Sequence, residues 1–433
     1  MISPPNGVNP VYRRGNDSIT KVGQRKGSMI PGNIIASNLG ILKEKEMIAF
    51  DLTPEQRALQ ERARRFSKEV ILPVAAEHDR DATFPIDVME KAYQEGFFTP
   101  LIPKKYGGQG LGVLDNCILS EELAAGCMGI YVSIFVSTLA LYPIIKFGTE
   151  EQKERFLKPF CSKFSIASYC LSEATVGSDP ASMKTTAALD GDHYLINGTK
   201  MWITNGGYAD LYVVFATTDP KKRHKGIISL IVPSDLEGVS HGEPIEKMGQ
   251  RASNTTSVTF KNVRVPKENL LGGTAKGFKK AMAALDITRP MIAIGSVGLA
   301  RTAMELATQY AKKRVQFGVP IARHQAVQFM LADMAKDIEA ARLLVWKAAW
   351  LADQGIRNSK EAAMAKAFAA DMGMQVTTNA VQIYGGMGYT KWHPVEKLMR
   401  DAKVIQIYEG TAQIMRLIIA RRLLEETEKP LFS

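Results

Sequence analysis

What most limits the folds open to this chain is a change in hydrophobic period, from helical to two-residue and back. Between residues 53 and about 166, Leu59, Ala63, Phe66 and Val70 recur at three- and four-residue spacing among Arg and Glu, which marks an amphipathic helix. From about 167 to 275 the segments 210–217, 226–232 and 256–265 are rich in Val, Ile and Thr, as strands are. Asn197-Gly198, between Tyr194-Leu195-Ile196 and Lys200-Met201-Trp202-Ile203-Thr204, predicts a hairpin turn. From about 277 the helical period returns over 277–314, 321–353, 359–387 and 395–426, with the broad apolar faces of a bundle. The expected fold class is α+β. An N-terminal helical domain (47–166) precedes a middle β-domain (167–276) and a C-terminal four-helix bundle (277–433).

Residues 1–46 are expected to stand apart as a disordered or non-native extension. They hold Pro-Pro, Asn-Gly and Pro-Gly and no sustained period. The apolar core of a secretory signal is missing, and Arg13, Arg14 and Arg25 fit a mitochondrial presequence weakly. Lys43-Glu44-Lys45-Glu46 is what a purine-rich ribosome-binding sequence encodes when read in frame, so Met47 is the expected bacterial start. Thr53, Pro54 and Gln56 then form a capping box with proline in the first turn.

Charge and cysteines narrow the class. Of the net charge of +11, residues 1–46 carry +4, and the rest is dispersed without a basic stripe interleaved with aromatics, so no nucleic-acid partner is expected. Residues 123–145 run 23 positions without a charge. Gly126, Gly129, Ser133, Ser137, Thr138 and Pro143 and the lack of a flanking basic cluster favour a buried core helix over an integral span. Cys117, Cys127, Cys161 and Cys170 form no C-x-x-C pair and have no histidine at ligand spacing, so reduced thiols and no metal are expected. The glycines of 106–112 meet neither phosphate-loop pattern and read as a tight helix connection.

Glu409 lies in a mostly apolar run, Val404-Ile405-Gln406-Ile407-Tyr408-Glu409-Gly410. A free Glu titrates near ~4.3, and apolar surroundings raise that toward the ~6–7 of a general base. The plainer alternative is a carboxylate at a helix end. Asp286 and Arg289, three apart on a helix, suit an ion pair.

Five segments together resemble the acyl-CoA dehydrogenase flavoprotein family over about residues 50–427. They are 169–179 (Tyr-Cys-Leu-Ser-Glu-Ala-Thr-Val-Gly-Ser-Asp), 200–206 (Lys-Met-Trp-Ile-Thr-Asn-Gly), 314–318 (Arg-Val-Gln-Phe-Gly), 382–389 (Gln-Ile-Tyr-Gly-Gly-Met-Gly-Tyr), and 400–403 (Arg-Asp-Ala-Lys) running into 408–411 (Tyr-Glu-Gly-Thr). Family members usually read Thr-Glu-Pro where this chain has Ser172-Glu173-Ala174. The resemblance implies FAD as cofactor and Glu409 as the base that takes the α-proton of an acyl-CoA thioester. Flavin N5 would take the β-hydrogen as hydride and leave a trans-2-enoyl-CoA. Thr288, where some members carry the base, is not a carboxylate.

By the same resemblance, Tyr169, Leu171, Ser172, Trp202 and Thr204 contact the isoalloxazine, and Ser178 lies near flavin phosphate and pantetheine. Arg314 is implied as the pyrophosphate ligand. Phe317, Gln325, Gln382, Gly385 and Gly386 are implied on the adenine side, often supplied by a neighbouring subunit, with Thr411 and Gln413 completing the set. Asp286 and Arg289 are implied at the CoA arm, and Tyr408 and Gly410 beside the substrate. Medium-chain members carry an acidic residue and glycine where this chain has Phe135-Val136, which implies a raised pocket floor and a short, branched or cyclic acyl group. The implied partners are an electron-transfer flavoprotein as acceptor and copies of the chain in a homotetramer. The implied compartment is a bacterial cytoplasm, or a mitochondrial matrix if the source is eukaryotic. An oxygen-using acyl-CoA oxidase and a nucleic-acid-binding relative are the alternatives. The second is disfavoured because Glu409 is kept and no long basic C-terminal domain follows.

Overall fold

The computed structural model describes residues 51–427. The chain divides into two units, Met1–Asp51 and Leu52–Ser433. Apart from Asp51 the first unit lies outside the described residues, and with it the expected extension and the Met47 start.

Thr53 opens the second unit as its sequence predicts. Its hydroxyl accepts from Gln56 N, its own N–H donates to the Gln56 side chain, and Pro54 takes the first position of α1 (Pro54–Phe66). The short helices α2 (Ala75–Asp81) and α3 (Ile86–Gln94) lead through the glycine connection to α4 (Val113–Gly126) and α5 (Met128–Phe147). In that connection Gly107 has φ 94°, and a side chain on Gly108 would strike the Ile102 carbonyl. The uncharged stretch is therefore two helices, parted at the single extended residue Cys127 (φ −166°). By length and composition α5 and α8 (Gly277–Lys313) are apolar enough to cross a membrane, yet 89% and 78% of their most apolar windows are buried inside the fold. Both are core helices. Two further short helices, α6 (Glu150–Phe156) and α7 (Pro159–Ser162), close the N-terminal region.

The β-domain is one seven-stranded sheet in the order β1-β4-β2-β3-β7-β6, with β5 on the other side of β4. Its strands are β1 (Ala167–Cys170), β2 (Thr186–Asp190), β3 (His193–Thr204), β4 (Leu211–Thr217), β5 (Ile227–Pro233), β6 (Val239–His241) and β7 (Thr255–Pro266). The hairpin turn expected at Asn197-Gly198 does not form. The turn lies at Gly191-Asp192, where Asp190 pairs with His193, and β3 runs straight through Asn197-Gly198. The reason is β7, which is long enough to pair with both halves of β3 and outweighs a local turn. The dipeptide serves a bulge instead: the register shifts between Ile196 and Gly198, Gly198 takes φ 146°, and Asn197 Oδ1 accepts from Asn262 N. A second shift, between Lys200 and Ile203, leaves Trp202 at φ 65° and facing outward.

The bundle is built from α8, α9 (Gln325–Asp353), α10 (Ser359–Tyr384) and α12 (Ala412–Thr427), with α11 (Val395–Lys403) packed on α10. A two-stranded ribbon, β8 (Val315–Gln316) with β9 (Val319–Pro320), joins α8 to α9. The single helix expected over 395–426 is broken between Lys403 and Ala412, because Glu409 and Gly410 take left-handed backbone (φ 52° and 96°).

Helices α4 and α8 approach closely. Glu121 and Glu122 of α4 are 3% and 1% exposed, and Arg64 of α1, Arg301 of α8 and Arg342 of α9 all donate to them. Burial works to raise the Glu122 pKa, but hydrogen bonds from Arg301 and Arg64 hold it below its ordinary value. Breaking such a pair leaves an uncompensated buried charge. Gly298 permits this approach, since a Cβ there would lie 2.1 Å from the Glu121 carbonyl oxygen. Gly→Ala inside a helix ordinarily stabilises by ~0.5–1 kcal/mol. At Gly298 the sign should reverse, with a loss of about 1–3 kcal/mol from overpacking. Urea unfolding of Gly298→Ala checks this, and an unchanged or raised midpoint would contradict it.

Candidate active site

After α11 a single 3-10 turn (Val404–Gln406) delivers Tyr408 and Glu409 to a junction of α5, α8, α10 and β1. Arg400-Asp401 hold that turn in place. Asp401, 0% exposed, accepts from Lys397 Nζ (2.6 Å) and from Gln250 N (2.5 Å), and Arg400 donates to Asp79 (2.6 and 3.0 Å) and Glu396. The Gln250 amide also donates to the Tyr408 hydroxyl (3.2 Å). This pair therefore ties α11 to α2 and to the loop before β7.

Glu409 is non-glycine backbone in the left-handed region, which costs energy and persists only where surroundings enforce it. Gly410 beside it has φ 96°, a left-handed backbone that strongly favours glycine. Two cations grip the turn by its carbonyls. Arg289 Nε donates to the Glu409 carbonyl (3.2 Å), and Lys366 Nζ donates to the Gly410 carbonyl (2.5 Å). The Thr288 hydroxyl donates to Glu409 Oε2 (3.1 Å). Burial pushes the Glu409 carboxyl up to about 7, against the weaker downward pull of Thr288, Arg289 and Lys366. Burial also pushes Lys366 down to about 8, with Glu409 pulling the other way. A carboxylate poised near neutrality, with one oxygen held, has the properties of a general base.

On α8, Arg289 Nη1 donates to Asp286 Oδ1 (2.8 Å), the ion pair their spacing predicts, and the Ser359 hydroxyl and the Asn358 amide also donate to Asp286. On α5, the Tyr131 hydroxyl donates to the Met291 carbonyl (2.9 Å), and its ring stacks on Phe135 (5.6 Å, 27°). Phe135 and Val136 are both buried.

The expected flavin contacts fall into two groups. Tyr169, Leu171, Ser172, Trp202 and Thr204 gather on β1, the loop after it and β3. The Tyr169 hydroxyl donates to the Ala281 carbonyl (3.4 Å), and Ser168 Oγ donates to the Thr204 carbonyl (2.8 Å). Lys200, 0% exposed, donates to the Leu171 carbonyl (3.1 Å) and Glu173 Oε1 (3.0 Å), while Met201 N donates to the Ser172 carbonyl. Glu173 and Val176 exchange backbone hydrogen bonds, so this loop is braced although Ala174 replaces proline. Ser178 is exposed beside the Asp179–Arg223 ion pair.

Arg314, Phe317, Gln325, Gln382, Gly385 and Gly386 form the second group, at the far ends of α8 and α10. Tyr310 stacks on Tyr384 there at 4.1 Å. Phe317 is 93% exposed, and no atom lies within 4 Å of where a side chain would begin on Gly385 or Gly386. Arg314 caps the C-terminus of α8, 25 residues beyond Arg289, about 37 Å at 1.5 Å per residue, so this group does not reach the Glu409 of its own chain. Thr411 Oγ1 accepts from Ile414 N at the start of α12, and Gln413 is exposed. Among the described residues no group of three or more His, Cys, Asp or Glu is arranged for a metal ion.

Lys366, Tyr131 and Gln250 were not singled out from the sequence. A signal existed for Lys366: it shares the helical stripe of Ala362, Ala365 and Ala369, all buried, so a lone cation falls on the core face of α10. Tyr131 and Gln250 carry no such signal, since both act through backbone contacts distant in sequence.

Burial of Glu409 has a measurable cost. In the fold it keeps its proton to about pH 7, but its ordinary value is 4.5. Between those values the native state binds more protons than the unfolded chain, so stability falls as pH rises and the deficit is complete above the folded pKa. Glu409→Gln removes that deficit. Its unfolding free energy should exceed that of the wild type by roughly 1–3 kcal/mol at pH 8 and match it near pH 4. Equal stabilities at both pH values would refute a raised pKa.

The acyl-CoA dehydrogenase N-terminal, middle and C-terminal domain families match residues 53–163, 168–263 and 275–424. The probable medium-chain specific acyl-CoA dehydrogenase 2, mitochondrial, of Caenorhabditis briggsae is 41% identical over 391 residues, 90% of this chain and 95% of that one. A chain in the structure of the electron-transferring flavoprotein of Acidaminococcus fermentans is 42% identical with a TM-score of 0.85, covering 87% of this chain and all of that one. Butyryl-CoA dehydrogenase of Megasphaera elsdenii is 39% identical with the same TM-score and the same coverage. With all three domain families matched in order, the chain belongs to the acyl-CoA dehydrogenase family of FAD-dependent enzymes.

Proposed function

We propose that the protein dehydrogenates a short, branched or cyclic acyl-CoA to the 2-enoyl-CoA, with Glu409 as the α-proton base. What carries this reading is the Glu409 carboxyl, raised to about 7 and held by Thr288 through Oε2. Oε1 is then the oxygen offered to a substrate proton. The left-handed turn sets its direction, and the Arg289 and Lys366 contacts to the flanking carbonyls limit its swing. In this reading Asp286 and Arg289 contact the CoA arm, with Tyr408 and Gly410 beside the thioester.

The residues fit FAD. Trp202 presents an outward ring from a bulge, the loop at Leu171-Ser172 is braced from behind by Lys200, and Gly385-Gly386 leave open space. When bound there, FAD supplies an acceptor for the β-hydrogen and its two electrons. Tyr169, Leu171, Ser172, Trp202 and Thr204 would hold the flavin, with Ser178, Thr411 and Gln413 next to them. Arg314, Phe317, Gln325, Gln382, Gly385 and Gly386 would hold the adenine half of another copy's FAD, since the length of α8 separates them from their own Glu409. That requires a second copy, and the exposed apolar side chains Phe317, Phe329, Tyr389 and Trp392 near this end give it a surface to cover. We read the assembly as the family's homotetramer. The neighbour from the electron-transferring flavoprotein structure supports such a flavoprotein as electron acceptor. The free cysteines Cys117, Cys127, Cys161 and Cys170 suit a reducing compartment, a bacterial cytoplasm or a mitochondrial matrix.

Removing the base tests the chemistry. Glu409→Gln should keep FAD and fold but reduce its flavin at least ~10²–10⁴-fold more slowly in anaerobic bleaching with acyl-CoAs. A variant keeping over half of wild-type turnover would refute the assignment. Peroxide released on substrate addition in air would favour an oxidase.

The acyl group follows from α5. Tyr131 is anchored to α8 and stacked on buried Phe135, and this rigid pair of rings supports the raised pocket floor that Phe135-Val136 implies. Phe135→Gly with Val136→Gly should lengthen the accepted chain. Steady-state rates across butanoyl-, octanoyl- and dodecanoyl-CoA check this. A wild type that already prefers dodecanoyl-CoA to butanoyl-CoA and alicyclic acyl-CoAs would show that the rings do not close the pocket.

A further inference from the structure

Lys366 is a lysine on the core face of α10, 0% exposed, whose Nζ reaches the Gly410 carbonyl. Its neighbours on the helix are alanines: Ala362, Ala363, Ala365 and Ala367 are all buried. Nothing in the packing of α10 asks for a cation there, and a buried ammonium is costly unless it is paired. Its contact, moreover, is a carbonyl on the backbone of the left-handed turn. Arg289 contacts the carbonyl one residue earlier, so two successive peptides are held, Glu409–Gly410 from α8 and Gly410–Thr411 from α10.

We infer that Lys366 is a positioning residue for Glu409: it fixes the left-handed turn through the Gly410 carbonyl and supplies a positive charge that the ionised carboxylate sees only at second hand. This deepens the general-base reading of Glu409 and rests on it. The geometry separates two roles that a direct ion pair would merge. A lysine bonded to the carboxylate itself would hold it ionised at low pH and weaken it as a base. Bonded to the next carbonyl, the same charge steadies the turn and leaves Oε1 free.

Every charged or titratable group facing Glu409 enters this balance. Tyr131 faces it from α5, Tyr169 from β1 and Arg289 from α8, where Asp286 neutralises the arginine. Tyr408 is on its own turn, and Lys366 faces it from α10. Asp371, further along α10, acts on Lys366 but is held by Gln406 and Arg416. Among the described residues, Arg289 and Lys366 are the two cations acting on Glu409, and of the two Arg289 is the one in a salt bridge, with Asp286. Loss of Lys366 should move the Glu409 titration upward, and loss of Glu409 should move that of Lys366 downward.

The test compares FAD-loaded wild type with Lys366→Met and Lys366→Arg, using butanoyl-CoA as the probe. Two quantities are read: the pH profile of anaerobic flavin reduction, and the carboxylic-acid infrared band that Glu409→Gln deletes. The Met variant should load FAD normally, show its acid limb and infrared titration shifted upward, and reduce flavin about fivefold more slowly at pH 7 for the first unit of that shift. The Arg variant should restore the limb and most of the rate. If the Met variant does not fold, Lys366→Gln, which keeps a donor without the charge, takes its place with the same expectation. A loaded Met or Gln variant with an unmoved titration and a rate within twofold of wild type overturns the proposal. So does one that loses only thermal stability. Failure of the base assignment itself is separately visible, because Glu409→Gln would then still bleach the flavin whatever stands at position 366.

Discussion

A carboxyl group raised by partial burial and held by a single hydroxyl is the constraint that the rest of this structure serves. Isolated buried charge is expensive, and the ordinary remedy is a direct ion pair, which would drive the carboxyl pKa down. At Glu409 the two nearest cations are spent on backbone carbonyls instead, Arg289 on residue 409 and Lys366 on residue 410. The carboxyl keeps one hydroxyl partner, Thr288, and titrates at about 7. Holding the backbone rather than the charge is what lets the group be both fixed and basic.

Elsewhere in the fold the opposite rule applies. Glu121 and Glu122 have three arginines from three helices, Glu173 has Lys200 and two backbone N–H groups, and Asp401 has Lys397 and Gln250. These charges are fully satisfied, and each cluster joins segments distant in sequence. Lys200 locks the loop after β1 to β3. Asp401 locks α11 to the loop before β7. Together they bring the Trp202 face and the Glu409 turn to fixed places without contributing to chemistry. A substitution that removes one partner would leave a buried charge without compensation.

Much of this was legible along the chain. The Thr53–Gln56 capping box, the change of period at the β-domain, the break in charge over 123–145 and the Asp286–Arg289 pair are local patterns, and the backbone follows them. Glu409 stood out as a lone carboxylate in an apolar run, and it is half-buried, with desolvation raising its pKa as that pattern implies. What misled was also local. Asn197-Gly198 has turn chemistry, but β7 pairs across it and makes it a bulge. The apolar period over 395–426 continues through a point where the helix stops, because nothing in a period reports a left-handed pair of residues.

By itself, then, the sequence determined where helical and strand periods lie, which faces are apolar, and which carboxylate would be costly to ionise. Those depend on neighbours within a turn or two. Tertiary structure alone decided that Lys366 reaches Gly410, that Tyr131 is pinned to Met291, and that the Glu409 turn and the Arg314 group are separated by much of the length of α8. These are distances between residues tens to hundreds of positions apart. They are set by how helices and sheet pack, and no periodicity records them.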